Sequence, residues 1–179
     1  ARDFKKQYDF NSKTSIYTYI SEIAEVKRSS RKTNPNVSVI GMDENFLDNK
    51  DYDLFKGRNF SNIELKYGSN VAIIGNEIAN VLFEKENPVN QTIQLLGKQY
   101  HIIGILKERG SLTGGKGADR LVLIPVENSR HIATGRQQTI EINIKIHNSV
   151  DLDYAMGEAT GVMRYIRRDL PGKEDSFEL

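Results

Sequence analysis

Cysteine and tryptophan are missing from this chain altogether. Without a thiol there can be no disulfide framework and no thiolate metal site. Histidine is scarce: His101, His131 and His147 are too far apart for the paired spacing that a metal helix uses. Long apolar runs are lacking as well. No stretch approaches the roughly 18 to 20 residues that a bilayer-spanning helix needs, and no leader peptide is visible. Nor is there an excess of charge of one sign. The 25 basic and 24 acidic residues leave a formal charge of +1 and are mixed along the chain. A nucleic-acid surface, which needs a clustered basic face, is therefore excluded. The densest cationic runs, Lys27-Arg28 with Arg31-Lys32 and Arg164 with Arg167-Arg168, read as solvated edges.

What is present is enough for a substantial core in 179 residues. Val71–Ile74 is an apolar block closed by Gly75, the mark of a strand covered on both faces. Asn76 is then a candidate N-cap for a helix with Ile78, Ala79, Leu82 and Phe83 on one face, stopped at Asn87-Pro88. Residues 92–96 and 99–106 alternate as strands joined through Gly97-Lys98, a hairpin. Upstream, Ile16, Tyr19, Ile20 and Ile23 predict a helix over 15–23, and residues 24–28 then alternate as a strand. Asn34-Pro35-Asn36 is a turn, and Val37–Met42 a strand. Residues 1–13 give no assignment. Downstream of a Gly-rich polar loop over 107–120, Leu121–Pro125 reads as a buried strand. In 139–147, Ile140, Ile142, Ile144 and Ile146 alternate with polar residues, predicting a strand with one face on a core. Asn148 or Ser149 is expected to cap a long helix over 150–170, with Leu152, Ala155, Met156, Ala159, Met163 and Ile166 as its apolar stripe and Pro171-Gly172 at its end.

Few patterns invite a chemical reading. Gly110 to Lys116 fits G-x-x-x-x-G-K, but a phosphate loop needs Ser or Thr next and must open a helix. Here Gly117 follows, and residues 118–120 lead into a strand, so the glycines read as a surface loop. His101 shares an apparent face with Ile103 and Ile105 and reads as a core or edge histidine. The carboxylate pairs Asp43/Glu44 and Asp51/Asp53 read as solvated turn acids. No G-x-S-x-G elbow exists. Tyr17 and Tyr19 precede a basic run, yet no RNA-binding motif accompanies them. The residues alone give an α+β domain with no catalytic, cofactor or metal constellation.

The run from Asn70 to Leu106 nevertheless resembles the periplasmic domain of MacB/FtsX-type ABC transporter permeases. The resemblance is carried by VAIIG, VLF, NPVNQ, TIQLLG and YHIIGIL in that order, with Asn90 where the family has glycine. Asn tolerates a left-handed backbone, so the turn is expected to survive. The corner Gly41-Met42-Asp43-Glu44-Asn45-Phe46 and the segment Phe55-x-Gly57-Arg58-Asn59-Phe60 add two further likenesses. The resemblance is close over about residues 36–126 and looser in the flanks.

It implies a two-lobed α+β domain: a βαβ-type outer lobe from residues 1–42 and 139–179, and a β-rich middle lobe, 43–138, inserted between them. It implies an extracytoplasmic part of a bacterial inner-membrane permease, with membrane segments on both sides, a start before Ala1 and a tail, 175–179, leading back to the membrane. The implied partners are a cytoplasmic ABC ATPase, a second permease protomer and a periplasmic adaptor protein. The implied role is to couple ATP hydrolysis to a conformational change for export or lipoprotein release, with helix 150–170 as a lever and no chemistry in the domain itself. The loop bearing Gly110, Gly114, Gly115, Lys116 and Gly117 is the candidate partner contact. A ligand-sensing ectodomain of a signalling receptor is the alternative.

Overall fold

The computed structural model describes residues 1–108, 117–132, 139–146 and 151–178. The chain begins with helix α1 (Arg2–Gln7) and the long strand β1 (Ser12–Ala24). A small hairpin, β2 (Val26–Arg28) and β3 (Arg31–Lys32), leads to β4 (Val37–Met42). Next come α2 (Phe46–Asn49), β5 (Leu54–Gly57), α3 (Asn62–Tyr67), β6 (Val71–Ile74) and α4 (Asn76–Phe83). The hairpin β7 (Thr92–Leu95) and β8 (Lys98–Leu106) follows, then a single 3-10 turn at Ala118–Arg120, β9 (Leu121–Pro125) and α5 (Val126–Ser129). Strand β10 (Glu141–Ile146) and helix α6 (Leu152–Arg167) complete the described chain.

All ten strands belong to one mixed sheet in the order β10-β1-β4-β9-β6-β8-β7-β2-β3, with β5 branching from β8. The pairs β4–β9 and β6–β8 are parallel and the other pairings antiparallel. The strands over 37–42, 71–74 and 121–125 lie in its middle and are buried at every position. That is why they read as unbroken apolar blocks. The segments 1–42 and 139–179 and the intervening 43–138 thus share one sheet, joined across β4 and β9.

Three apolar clusters surround it. One lies under α4, where Ile78, Ala79, Leu82 and Phe83 pack with Val39, Ile74, Tyr100 and Ile102. Burying side chains the size of Leu82 and Phe83 contributes about 2–3 kcal/mol each. A second gathers Phe46, Phe60, Ile73, Ile103 and Leu123 on the opposite face. The third joins Phe4 of α1 and Tyr8 at its C-cap to Ala159, Val162, Met163 and Ile166 of α6, with Ile142 and Ile144 of β10.

The predicted helix over 15–23 is instead the body of β1, bulged twice where it crosses β4. Its helical-period residues do not share a buried face: Ile16 is buried, whereas Ile23 is 75% exposed. The buried set is contiguous, Thr14 to Thr18, and these β-branched and aromatic residues pair with β10 on one side and β4 on the other. Residues 1–13, unassigned from sequence, supply α1. Smaller corrections concern boundaries. Gly75 rather than Asn76 is the N-cap of α4, and the hairpin turn is Leu96-Gly97, both left-handed, one position earlier than predicted. Asn90 takes the left-handed conformation expected of it, with φ 70°. Of the α6 stripe, Ala155 and Ala159 are buried, but Leu152 and Met156 are exposed. Asp151 occupies the N-cap position without a side-chain capping bond, and Asn148, Ser149 and His147 lie outside the described residues.

Candidate functional site

The residue that organises the junction of α1, β1 and β4 is Asp43, which sequence reading treats as a solvated turn acid. It is buried. Its Oδ1 accepts from Ser15 Oγ at 2.9 Å and from the Asn45 backbone N–H at 3.1 Å. Its Oδ2 accepts from the Ile16 backbone N–H at 2.9 Å and from Lys5 Nζ at 2.7 Å. Its own N–H donates to Ile16 O at 3.1 Å. The carboxylate thereby continues the β1–β4 ladder one step past the end of the strand and ties α1 to it. Lys5 also donates to Glu44 at 2.6 Å. Burial works against the Lys5 ammonium, but its bonds to Asp43 and Glu44 outweigh that and raise its pKa. Burial likewise opposes the Glu44 charge, and the Lys5 bond prevails and lowers its pKa.

A second knot sits next to the first. Gly57 has φ +88°, and a Cβ there would stand 2.2 Å from Ile103 O, so the position requires glycine. The adjacent Arg58 N–H donates to that same carbonyl at 3.0 Å. The Arg58 guanidinium grips Glu64 with two bonds, 2.7 and 2.8 Å, while Ser61 and Glu64 form a capping box at the start of α3. Chiefly through the Arg58 bond, the Glu64 carboxyl is lowered to about 2. Asn59 Nδ2 donates to Glu44 O at 3.0 Å and Phe60 fills the second cluster, which binds this knot to the Asp43 corner.

Strand β8 carries a bulge here. The register with β6 slips between Ala72 and Ile73, so Ile103 and Ile105 point to opposite clusters. The predicted shared face of His101, Ile103 and Ile105 is broken by that bulge, and His101 is exposed rather than a core residue.

A third knot was not found from sequence. Asn128, buried at the start of α5's last turn, donates to Gly68 O and to Asn70 Oδ1, both at 2.7 Å, and accepts from Tyr100 OH at 2.7 Å. Tyr100 is fully buried, and desolvation pushes its hydroxyl up to about 12. Only the bare Asn-Ser pair was visible in the sequence, since its partners lie 28 to 60 residues away.

The glycine-rich loop is placed only in part. Gly110, Gly114, Gly115 and Lys116 lie outside the described residues. Gly117 precedes the turn Ala118–Arg120, whose backbone packs so tightly on Gly75 that a Cβ there would meet Asp119 O at 2.3 Å. Arg120 Nε reaches Glu77 Oε2 at 2.7 Å, and β9 begins at the next residue. Asp51 is paired with Lys145. The Lys27–Lys32 run forms the β2–β3 edge and pairs with Glu25, Glu84 and Glu86. A cleft of about 580 Å³ lies beside α1, lined among others by Lys5, Asp43, Glu44, Leu65, Glu127 and Arg130. Several of its charges pair with one another: Arg2 and Arg130 both with Glu127, and Lys5 with Asp43 and Glu44. No group of three or more metal-ligating side chains exists among the described residues.

These knots hold a corner and its neighbouring helices together. Residues 2–162 match the family described as the MacB-like periplasmic core domain. The chain belongs to that family. Relatives include the macrolide export ATP-binding/permease protein MacB of Bdellovibrio bacteriovorus, 26% identical over 78% of this chain and 22% of that protein. The uncharacterised ABC transporter permease YknZ of Bacillus subtilis is 23% identical over 89% of this chain and 38% of its own length. The chain therefore spans about a fifth to two fifths of these relatives.

Among solved structures, the periplasmic region of MacB from Actinobacillus actinomycetemcomitans superposes with a TM-score of 0.74 at 16% identity, over 93% of this chain and 73% of that one. The extracellular domain of the ABC-type transporter YknZ from Gram-positive bacteria gives 0.72 at 16% identity, over 93% and 83%. The fold is thus that of MacB-type periplasmic domains, and the chain is an extracytoplasmic core domain of an ABC transporter permease. Among the described residues no helix is long and apolar enough to cross a membrane.

Proposed function

We propose that this MacB-like domain is a mechanical transmitter. A cytoplasmic ATPase partner hydrolyses ATP, the permease's membrane segments move, and the domain turns that motion into a change of shape outside the inner membrane. This would serve export, or lipoprotein release, across the envelope. The domain contributes no chemistry of its own in this reading. The strongly held groups Glu64, Tyr100 and Asp43 are each spent on structural bonds.

The observation that carries the proposal is the double attachment of α1. One side packs on α6, with Tyr8 OH donating to Ala155 O at 3.1 Å. The other side is fixed by Lys5 to Asp43 and Glu44 at the β1–β4 corner. A short helix held at both flanks delivers any displacement to α6 and to the sheet together, because packed interiors transmit strain rather than absorb it. The segments 1–42 with 139–179, and 43–138, are the proposed units of relative movement. The partners are a second permease copy and a periplasmic adaptor, with the loop containing Gly110, Gly114, Gly115, Lys116 and Gly117 as the proposed contact. A ligand sensor would want unmatched polar groups in the cleft beside α1, where Arg2, Arg130 and Lys5 are instead engaged with Glu127 and Asp43.

Replacing Lys5 by Met in the complete permease keeps the alkyl stem and removes both ion pairs. In proteoliposomes with its ATPase, this variant should bind and hydrolyse ATP while transport falls. Deleting 43–138 should have the same outcome in stronger form. Unimpaired transport in either variant would sink the proposal.

A further inference from the structure

Strand β10 ends the sheet and pairs with β1 on its inner side. Its side chains alternate between two faces. Ile142 and Ile144 meet α1 and α6, while Asn143 and Lys145 share the face crossed by α2 and the two residues after it, 46–51. In the β1–β10 register Lys13 stands directly opposite Lys145. Like charges so placed repel. They are neutralised from outside both strands: Asp48 pairs with Lys13 and Asp51 with Lys145, whose ammonium also donates to Asp48 O at 2.9 Å. Between the two pairs, Asn49 Nδ2 donates to Lys13 O at 2.8 Å and to Asn143 O at 3.0 Å, one amide bridging both strands. Phe46 packs on the Tyr17 ring, the Lys50 ammonium lies 4.9 Å from the centre of that ring, and the Tyr17 hydroxyl donates to Glu141. Two observations weaken this grip. The four ion-paired side chains are between 41% and 68% exposed, so each pair is weak and screened by salt. Asn49 Oδ1 is buried with no hydrogen-bond partner among the described residues, which disfavours the arrangement that buries it.

We propose that residues 46–51 form an ionic latch that determines whether β10, and α6 after it, moves with the rest of the sheet. Closed, as in this structure, the latch fastens the last strand to its neighbour by bonds to both. Lifted, it leaves Lys13 facing Lys145 without these counter-charges and opens the Asn49 amide oxygen to water, so β10 parts from β1 easily. The closed state carries an unpaired buried acceptor and the open state a like-charge pair. With a cost on each side the two lie close in free energy, as a reversible element requires. The latch residues belong to the segment 43–138 and both strands to the unit formed by 1–42 and 139–179. The latch therefore spans the boundary across which the transmitter reading above places relative movement, and its role in transport rests on that reading. A displacement of 43–138 that pulls the turn away uncouples α6, and a closed latch carries α6 with the sheet. Asp48, Asn49 and Asp51 are positioning residues in this scheme.

Hydrogen exchange in the chain as it stands reads the latch itself. D48N/D51N keeps the shape of both side chains and removes both counter-charges. The amides of 141–146 should then exchange about tenfold faster, while those of 71–74 in the sheet centre change less than about twofold. Adding K145Q should slow 141–146 again, to within about threefold of the unmodified chain, because no like-charge pair remains. Loss of contacts alone would make the triple variant exchange faster still. Equal acceleration of 71–74, no acceleration of 141–146, or a triple variant no slower than the double would each overturn the latch, whatever transport does. The complete permease with its ATPase reads the role. D51C/K145C bridged by a reducible bismaleimide, with K145C alone as control, should lose transport while hydrolysing ATP, and reductant should restore it. Undiminished transport in the bridged permease would overturn that role, and the Lys5→Met variant tells whether the transmitter reading falls with it.

Discussion

Asp43→Ala removes a carboxylate with four incoming hydrogen bonds, and the structure says which of them matter. Lys5 keeps Glu44 at 2.6 Å and retains partial solvent access, so its loss is small. The Asn45 N–H lies in a part-buried turn. Ser15 Oγ and the Ile16 N–H are different, because both bonds are buried and Ser15 has no exposed surface. An unsatisfied buried donor costs about 1–3 kcal/mol, so these two together should cost about 3 kcal/mol once some relaxation is allowed. For a domain of this size that corresponds to a fall of roughly 6–12 °C in Tm. Asp43→Asn tests the same reasoning with little change in volume: it retains one acceptor but turns an NH2 toward a donor, so it should recover only part of the loss. Ser15→Ala, which leaves a carboxylate lone pair rather than a donor unpaired, should cost about 1 kcal/mol. Urea unfolding with a common m-value would measure all three. A loss below about 1 kcal/mol for Asp43→Ala would refute the view that this corner depends on the carboxylate.

Four further substitutions probe the neighbouring knots. Glu64 is held at about 2, below its unfolded value, so its pair with Arg58 contributes stability that is complete above the ordinary carboxylate range and is lost as pH falls through about 2. Glu64→Gln should flatten the stability profile between those limits and leave the slope near neutrality unchanged. Gly57→Ala should destabilise by about 3 kcal/mol, because a backbone carbonyl 2.2 Å from the new Cβ cannot rotate away and the left-handed φ adds strain; an alanine variant of native Tm would contradict this. Tyr100→Phe should cost about 1 kcal/mol and Asn128→Ala about 3, since the latter strands the Gly68 carbonyl and the Tyr100 hydroxyl as well; equal losses in thermal melts would mean that Asn128 is not the hub.

How legible these features were depends on where their partners lie. Val71–Ile74, Leu121–Pro125 and the α4 face were readable because burial on both sides of a strand, or one side of a helix, imposes a local pattern. Residues 15–23 misled for the converse reason. Thr14, Ser15 and Thr18 are polar yet buried, with Ser15 bonded to Asp43 and Thr18 to Thr139 O, so the apolar positions that remained visible happened to fall at helical spacing. A strand whose buried surface is partly polar carries no alternation to detect. The β8 bulge was hidden likewise, because it shows only in the pairing with β6, whose residues are distant in sequence.

The same contrast separates the two kinds of motif in this chain. The apolar blocks specify elements, and nearly any hydrophobic sequence of that period would do as well. The corner at Asp43 and the Gly57-Arg58-Asn59-Phe60 segment specify how elements meet: a carboxylate that extends a ladder, a glycine admitted beside a carbonyl, an arginine that closes a capping box, an amide that joins the two. Each of those roles tolerates one residue type. By the losses predicted above, folding itself depends on them. In the function proposed here they would also carry displacement from α1 into the sheet, because a corner that slips under load transmits nothing.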